Sequence, residues 1–134
     1  MKNFDVKELL AIANEARSDS YSPYSEISVG AALLTKSGKI YKGCNIENAS
    51  YSPTICAERV AFFKAVSEGE TEFVAIAIAG GKRGEPSRAD FPPCGVCRQV
   101  MSEFCAPDFK VIWGNTDNFT EKTLEEILPH SFDL

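Results

Sequence analysis

The chain has 134 residues, 44% of them hydrophobic, with 14 basic against 19 acidic side chains and a formal net charge of -5. That length can bury one core and is too short for two ordinary domains, so residues 1–134 are expected to form a single domain. The acidic balance offers no electrostatic footprint for a DNA or RNA polymer and leaves a small polar substrate as the better fit.

No run of about 18 apolar residues is present to span a membrane, and Met1-Lys2-Asn3-Phe4-Asp5 lacks a signal-peptide core. A reducing cytoplasm without disulfides is the expectation. Next, Phe4, Leu9, Leu10, Ile12, Ala13 and Ala16 follow helical spacing, and Asp5 with Glu8 has the form of a capping box. Val29 to Thr35 is small and apolar, Lys36-Ser37-Gly38-Lys39 has turn chemistry, and Ile40 to Asn45 resumes an extended pattern, which predicts a hairpin. A helix is predicted from about Cys56 to Glu68, stopped by Gly69. The run Phe73 to Ala79 reads as a strand buried on both faces, followed by a polar loop from Gly80 to about Phe91. A helix from about Cys94 to Phe104 and a strand from Lys110 to Trp113 complete the pattern. Strands separated by helices imply an α/β layered domain with parallel pairing after the opening hairpin.

Three of the five cysteines fall in two stretches, Thr54-Ile55-Cys56-Ala57-Glu58-Arg59 and Pro92-Pro93-Cys94-Gly95-Val96-Cys97-Arg98-Gln99. Zinc takes four protein ligands when structural, and three plus an exchangeable water when catalytic, so Cys56, Cys94 and Cys97 leave one position open. Glu58 is the carboxylate that could act on that water. Cys94 and Cys97, three apart in a first helical turn, lie on one face, and the two prolines before them need no donor there. Cys56 also falls at a predicted helix start. Two helix N-termini would then point at the metal and, with Arg59 and Arg98, offset the net negative charge of three thiolates on one zinc. Residues two apart in a regular helix face nearly opposite sides, so Cys56 and Glu58 can share a site only if Cys56 sits at or before the first turn. Cys44 and Cys105 read as small buried apolar residues, and His130, the single histidine, lies in a C-terminal loop far from the cysteines. A Cys-x-x-Cys pair by itself also fits a redox motif or half of a structural zinc site.

Joined to Ser22-Pro23-Tyr24-Ser25, Val29-Gly30-Ala31-Ala32-Leu33 and Gly43-Cys44-Asn45-Ile46-Glu47-Asn48-Ala49-Ser50-Tyr51, these stretches resemble, in order from Tyr21 to Phe104, the small cytidine deaminases with a three-cysteine zinc site. A Glu beside the first ligand followed by Pro-Cys-x-x-Cys is the established signature of zinc deaminases. The resemblance implies a three-layer α/β/α sandwich around a mixed five-stranded sheet. It implies Zn2+ as cofactor and hydrolytic deamination of cytidine and deoxycytidine to uridine and deoxyuridine plus ammonia, in pyrimidine salvage. In this picture Cys56, Cys94 and Cys97 hold zinc, Glu58 shuttles protons to ring N3 and the departing amine, and Arg59 tempers the thiolates. Asn45 and Glu47 bind the ribose 3′-hydroxyl, and their spacing of two at a strand end lets both face one side.

The resemblance further implies a homotetramer in which Ala49 and Tyr51 reach a neighbouring subunit's site and Phe132 forms a C-terminal aromatic lid. Many members carry Phe in the base pocket where this chain has Ile27, which can pack on the ring without aromatic stacking. The role of the loop over residues 80–91 is not set by its sequence. Two other readings stand beside the nucleoside one. In one, the zinc chemistry acts on another cytosine-containing small molecule such as blasticidin S. In the other, a non-enzymatic module holds structural zinc closed by Cys44 or Cys105.

Overall fold

The alternation of small and branched residues in the central strand decides how the layers stack. The computed structural model describes residues 4–134; Met1 to Asn3, part of the stretch read for a signal core, lie outside them. Ala75, Ala77 and Ala79 face one side of the sheet, while Ile76 and Ile78 face the other, and all five are fully buried. The sheet has five strands, β1 (Ile27–Thr35), β2 (Ile40–Cys44), β3 (Phe73–Lys82), β4 (Lys110–Gly114) and β5 (Phe119–Thr123), in the order β2-β1-β3-β4-β5. It is mixed, as expected. β3 and β4 pair parallel, whereas β1 pairs antiparallel with both β2 and β3, and β4 with β5.

That pattern corrects the expectation of parallel pairing throughout the region after the hairpin. Because β1 sits between β2 and β3, those two strands run in the same direction without touching. The two crossovers, through α2 (Ala57–Ser67) and α3 (Gly95–Phe104), advance the same way across the sheet. A common right-handed sense therefore lays both helices on one face. The opposite face is left to α1 (Val6–Ala16), which seats Leu9, Leu10 and Ala13 on Ala32, Leu34, the β3 alanines and Ile112. Each such leucine, fully withdrawn from water, contributes about 1.5–3 kcal/mol. Asp5 caps α1, its Oδ1 accepting from Lys7 N at 3.0 Å and Glu8 N at 3.2 Å.

Beneath α2 and α3 lies the larger core, centred on Phe62, whose ring meets Phe73, Phe104 and Phe109 at centroid distances of 5.1, 6.3 and 6.1 Å. A short helix α4 (Leu124–Ile127) follows β5, held by a reciprocal capping box between Thr123 and Glu126. β3 runs through Gly80 and Gly81 to Lys82, so the loop predicted to start at Gly80 starts later. The remaining segment folds back across the strand ends. Arg88 N donates to Gly80 O, Ser87 Oγ donates to Gly114 O, and the Phe91 ring covers Gly80. Its task is thus to tie β3 to β4 and deliver Pro92-Pro93-Cys94 to the start of α3. Among the described residues, no helix is long and apolar enough to cross a membrane.

Candidate active site

Both crossover helices begin at the same end of the sheet, and each begins on a cysteine. Cys56 is the N-cap of α2 and Cys94 the N-cap of α3, both in extended conformation, while Cys97 lies in the first turn of α3. The condition set by residue spacing is therefore met: Cys56 precedes the helix, so Glu58 in its first turn is free to share the site. What sets the depth of α2 is Gly43 on β2. A side chain there would strike the Ala57 carbonyl and lie 2.7 Å from Ala61 N, so only glycine lets the N-terminal turn of α2 settle on the sheet.

The sulfur atoms of Cys56, Cys94 and Cys97 all lie within 4.8 Å of one another. Cys56 Sγ is 3.9 Å from Cys94 Sγ, and Cys94 Sγ is 3.5 Å from Cys97 Sγ. A tetrahedral zinc with bonds of about 2.3 Å holds its sulfurs about 3.8 Å apart. The donor set thus fits zinc in both chemistry and spacing. Among the described residues no histidine, carboxylate or further cysteine joins the cluster, so neither Cys44 nor Cys105 is the fourth ligand that a closed structural site needs. Both are half-buried free thiols, with burial pushing each pKa up. His130 is exposed and apart from the cluster.

At the cluster the thiols and Arg59 set one another's acidity. The Cys56 thiol is pulled down to about 5, chiefly by its hydrogen bond with the Cys97 thiol, against burial and with help from Arg59. Cys97 is driven well up by the same bond and by burial. Arg59 Nη2 donates to Cys56 Sγ at 3.4 Å. Burial works to lower the Arg59 pKa, but the thiols of Cys56 and Cys97 outweigh it and hold it above its ordinary value. Arg98 takes no part, contrary to the expectation from sequence. Its Nε donates to Pro93 O and its Nη1 to Ile127 O, both at 2.8 Å, which fastens the entry of α3 to the end of α4. Glu58 is 4% exposed, and burial raises its carboxyl to about 7, with its own backbone N–H opposing and the Cys56 charge assisting.

Asn45 and Glu47 lie just past β2, where Ile46 bridges Tyr21 on one side and Ile55 on the other. Glu47 accepts from Tyr24 N at 3.0 Å, from Ser25 N at 3.2 Å and from the Ser25 hydroxyl; that last bond leads in holding its pKa below the usual value. Its carboxylate opens on a cavity of about 320 Å³ lined by Tyr24, Ser25, Asn48, Tyr51 and Thr54. Asn45 is buried and bonded to the start of β1. Ile27, the first residue of β1, is half-buried against the larger core. Tyr51 has φ 65° and stands 74% exposed on the cavity rim. Ala49 is exposed in the adjoining turn, and Phe132, 68% exposed, lines a separate groove with Gln99, Ser102 and Glu103. A single chain therefore does not bring Ala49 or Phe132 to the Glu47 cavity. Sequence reasoning assigned no role to Tyr24 or Ser25, although Ser22-Pro23-Tyr24-Ser25 was the available signal.

Residues 5–113 match the protein family described as the cytidine and deoxycytidylate deaminase zinc-binding region. A cytidine deaminase of Sporosarcina psychrophila is 48% identical over 129 residues, which cover 96% of this chain and 91% of that protein. A blasticidin-S deaminase of Bacillus cereus is 33% identical, with 96% of both chains covered. Among solved structures, the cytidine deaminase from Burkholderia pseudomallei superposes with a TM-score of 0.86 at 41% identity, over 96% of this chain and 100% of that one.

Proposed function

We infer, from the premise that the chain belongs to the cytidine and deoxycytidylate deaminase family, that it hydrolyses cytidine and deoxycytidine to uridine and deoxyuridine plus ammonia. The observation that carries this reading is the buried Glu58 carboxyl in the first turn of the helix that Cys56 caps, with Cys56 one of three thiols spaced for one zinc. Zinc held by Cys56, Cys94 and Cys97 supplies Lewis acidity, which makes water a competent nucleophile near neutral pH. Glu58 accepts one proton from the water that attacks C4 and delivers it to ring N3, then takes the proton of the new C4 hydroxyl and delivers it to the amine as the C4–N bond breaks. A carboxyl that burial holds at about 7 both takes and gives protons readily at neutral pH. Arg59 anchors the Cys56 thiolate and counters its charge. Asn45 and Glu47 bind a sugar hydroxyl, and Ile27 packs on the base.

Residues 1–134 act as one catalytic domain on a free nucleoside in the cytoplasm, serving pyrimidine salvage; thiols required as ligands suit a reducing compartment. The chain works as a homotetramer in which Ala49, Tyr51 and Phe132 complete a neighbour's site. The exposure of all three, and the fact that Phe132's groove and the Glu47 cavity share no lining residue, support that arrangement.

The test is loss of the cytidine ultraviolet band on incubation with zinc-loaded protein, with Glu58→Ala in parallel and blasticidin S as a second substrate. Steady loss with wild type and none with Glu58→Ala is expected. An unchanged cytidine spectrum together with turnover of blasticidin S would transfer the activity to the other substrate class. Inertness toward both would return the structural-zinc reading.

A further inference from the structure

The way Asn45 is held determines what it can offer a ligand. Its amide orientation is set by backbone chemistry. Val29 N–H lies 2.9 Å from one amide atom, which must therefore be the oxygen, and Ile27 O lies 2.8 Å from the other, which must be the nitrogen. The Ser20 hydroxyl then meets Oδ1 at 2.5 Å, and an amide oxygen can only accept, so the hydroxyl donates. Ser22 Oγ, 3.2 Å from Ser20 Oγ, is the more distant alternative for that proton.

Ser20 itself is fixed from both sides. Its N–H donates to Arg17 O at 3.1 Å, and Tyr21 N donates to Asn45 O at 3.0 Å, so the two segments run pinned together. Arg17 in turn grips β1, its Nε donating to Ser28 O at 3.0 Å. With Val29 N–H and the Ser20 hydroxyl on its two lone pairs, Asn45 Oδ1 is saturated, and one N–H of Nδ2 remains. Glu47, two residues on, is ionised and accepts only.

We propose that Ser20 is a positioning residue for substrate recognition: by saturating Asn45 Oδ1 it makes Asn45 a pure donor beside the pure acceptor Glu47, a pair matched to one sugar hydroxyl. This rests on the function proposed above, in which Asn45 and Glu47 face the sugar. Ser20 touches neither Glu58 nor the thiols, so its hydroxyl bears on binding and leaves the chemical step alone. Without it, Asn45 Oδ1 keeps an open lone pair, the amide is held by two bonds in place of three, and the match to a donating and accepting hydroxyl is lost.

The experiment compares kcat and KM of wild type, Ser20→Ala and Ser20→Thr on cytidine and on 3′-deoxycytidine. Ser20→Ala is expected to raise KM for cytidine about three- to tenfold, the effect of one hydrogen bond, with kcat held within about twofold. KM for 3′-deoxycytidine should be the same in wild type and Ser20→Ala, and Ser20→Thr, which keeps the hydroxyl, should restore the cytidine value. Should the alanine variant melt early, Ser20→Cys, close in size and a weak donor, carries the same expectation. An equal rise in KM on both substrates, a fall in kcat alone, or a threonine variant that behaves as alanine would overturn the assignment while leaving the deaminase reading intact. A wild type inert on both nucleosides would overturn that reading and this one with it.

Discussion

Arg59 carries the charge balance of the thiol cluster at the scale of single residues. Three thiolates donate more electron density than one zinc neutralises, and an over-neutralised zinc is a poor Lewis acid. The guanidinium is the cation the structure sets against them: Nη2 donates to Cys56 Sγ at 3.4 Å, and Nε is buried with no partner among the described residues. A cation in that position is held by the field of the thiols more than by hydrogen-bond geometry. Arg59→Ala is expected to lower kcat about 10–100-fold while lowering zinc content far less, since all three ligands stay in place. Paired measurement of turnover and of zinc released to a chromophoric chelator checks this, and full turnover in the variant would count against it. Arg98→Ala should leave the charge at the metal unchanged, because its donors are spent on Pro93 O and Ile127 O.

Among the elements, the fit of α2 to β2 controls the site, and Gly43 controls the fit. A methyl group at Gly43 meets the α2 backbone at Ala57 O and Ala61 N, which cannot give as a flexible side chain would. Gly43→Ala is expected to cost about 1–3 kcal/mol of stability. Because α2 carries Cys56 at its N-cap, the same shift should speed zinc loss to a chelator, whereas Gly69→Ala, at the far end of α2 with open space around it, should lower stability through its φ of 92° and leave zinc release unchanged. Much of this layout was legible beforehand. Helical spacing located α1; the stop at Gly69 and the entry through Pro92 and Pro93 helped bound α2 and α3, and the cysteine spacing picked out the three thiols that the fold brings together. Strand direction was less legible, since nothing local records that β1 lies between β2 and β3. β5, with the sequence Phe-Thr-Glu-Lys-Thr on the sheet edge, has no apolar alternation to read. Gly80 and Gly81 looked like a turn because the groups that fill the space of their missing side chains, the Phe91 ring at Gly80 and the Pro86 carbonyl at Gly81, come from the segment beyond the strand. Arg59 and Arg98 look alike on paper, but Arg59 stands three residues after a cap cysteine while Arg98 is turned back toward Pro93. Ser20 and Tyr24 N act through contacts across more than twenty residues, which no short motif encodes.

For the whole molecule, the question is what covers the aromatic residues around the Glu47 cavity. Tyr51 is 74% exposed at its rim, with Tyr21, Tyr24 and Ile46 also exposed nearby in sequence, an uncommon amount of apolar surface for a chain this small. So exposed a ring has little grip on a ligand in its own cavity, and a second chain laid across it would gain both the burial and a completed site. On the homotetramer proposed above, four copies of the 14.7 kDa chain are expected as the species that sediments at micromolar concentration. Mass alone does not say whose site Tyr51 serves, but mixing does. Glu58→Ala and Tyr51→Ala subunits are each expected to be weakly active or inactive alone. Refolded together, they should regain about a quarter of wild-type activity if assembly is random, because a site that draws Glu58 from one chain and Tyr51 from another can then be intact. If Tyr51 served only the cavity of its own chain, no mixture would contain such a site, and co-refolded and separately refolded samples would turn over cytidine at the same low rate.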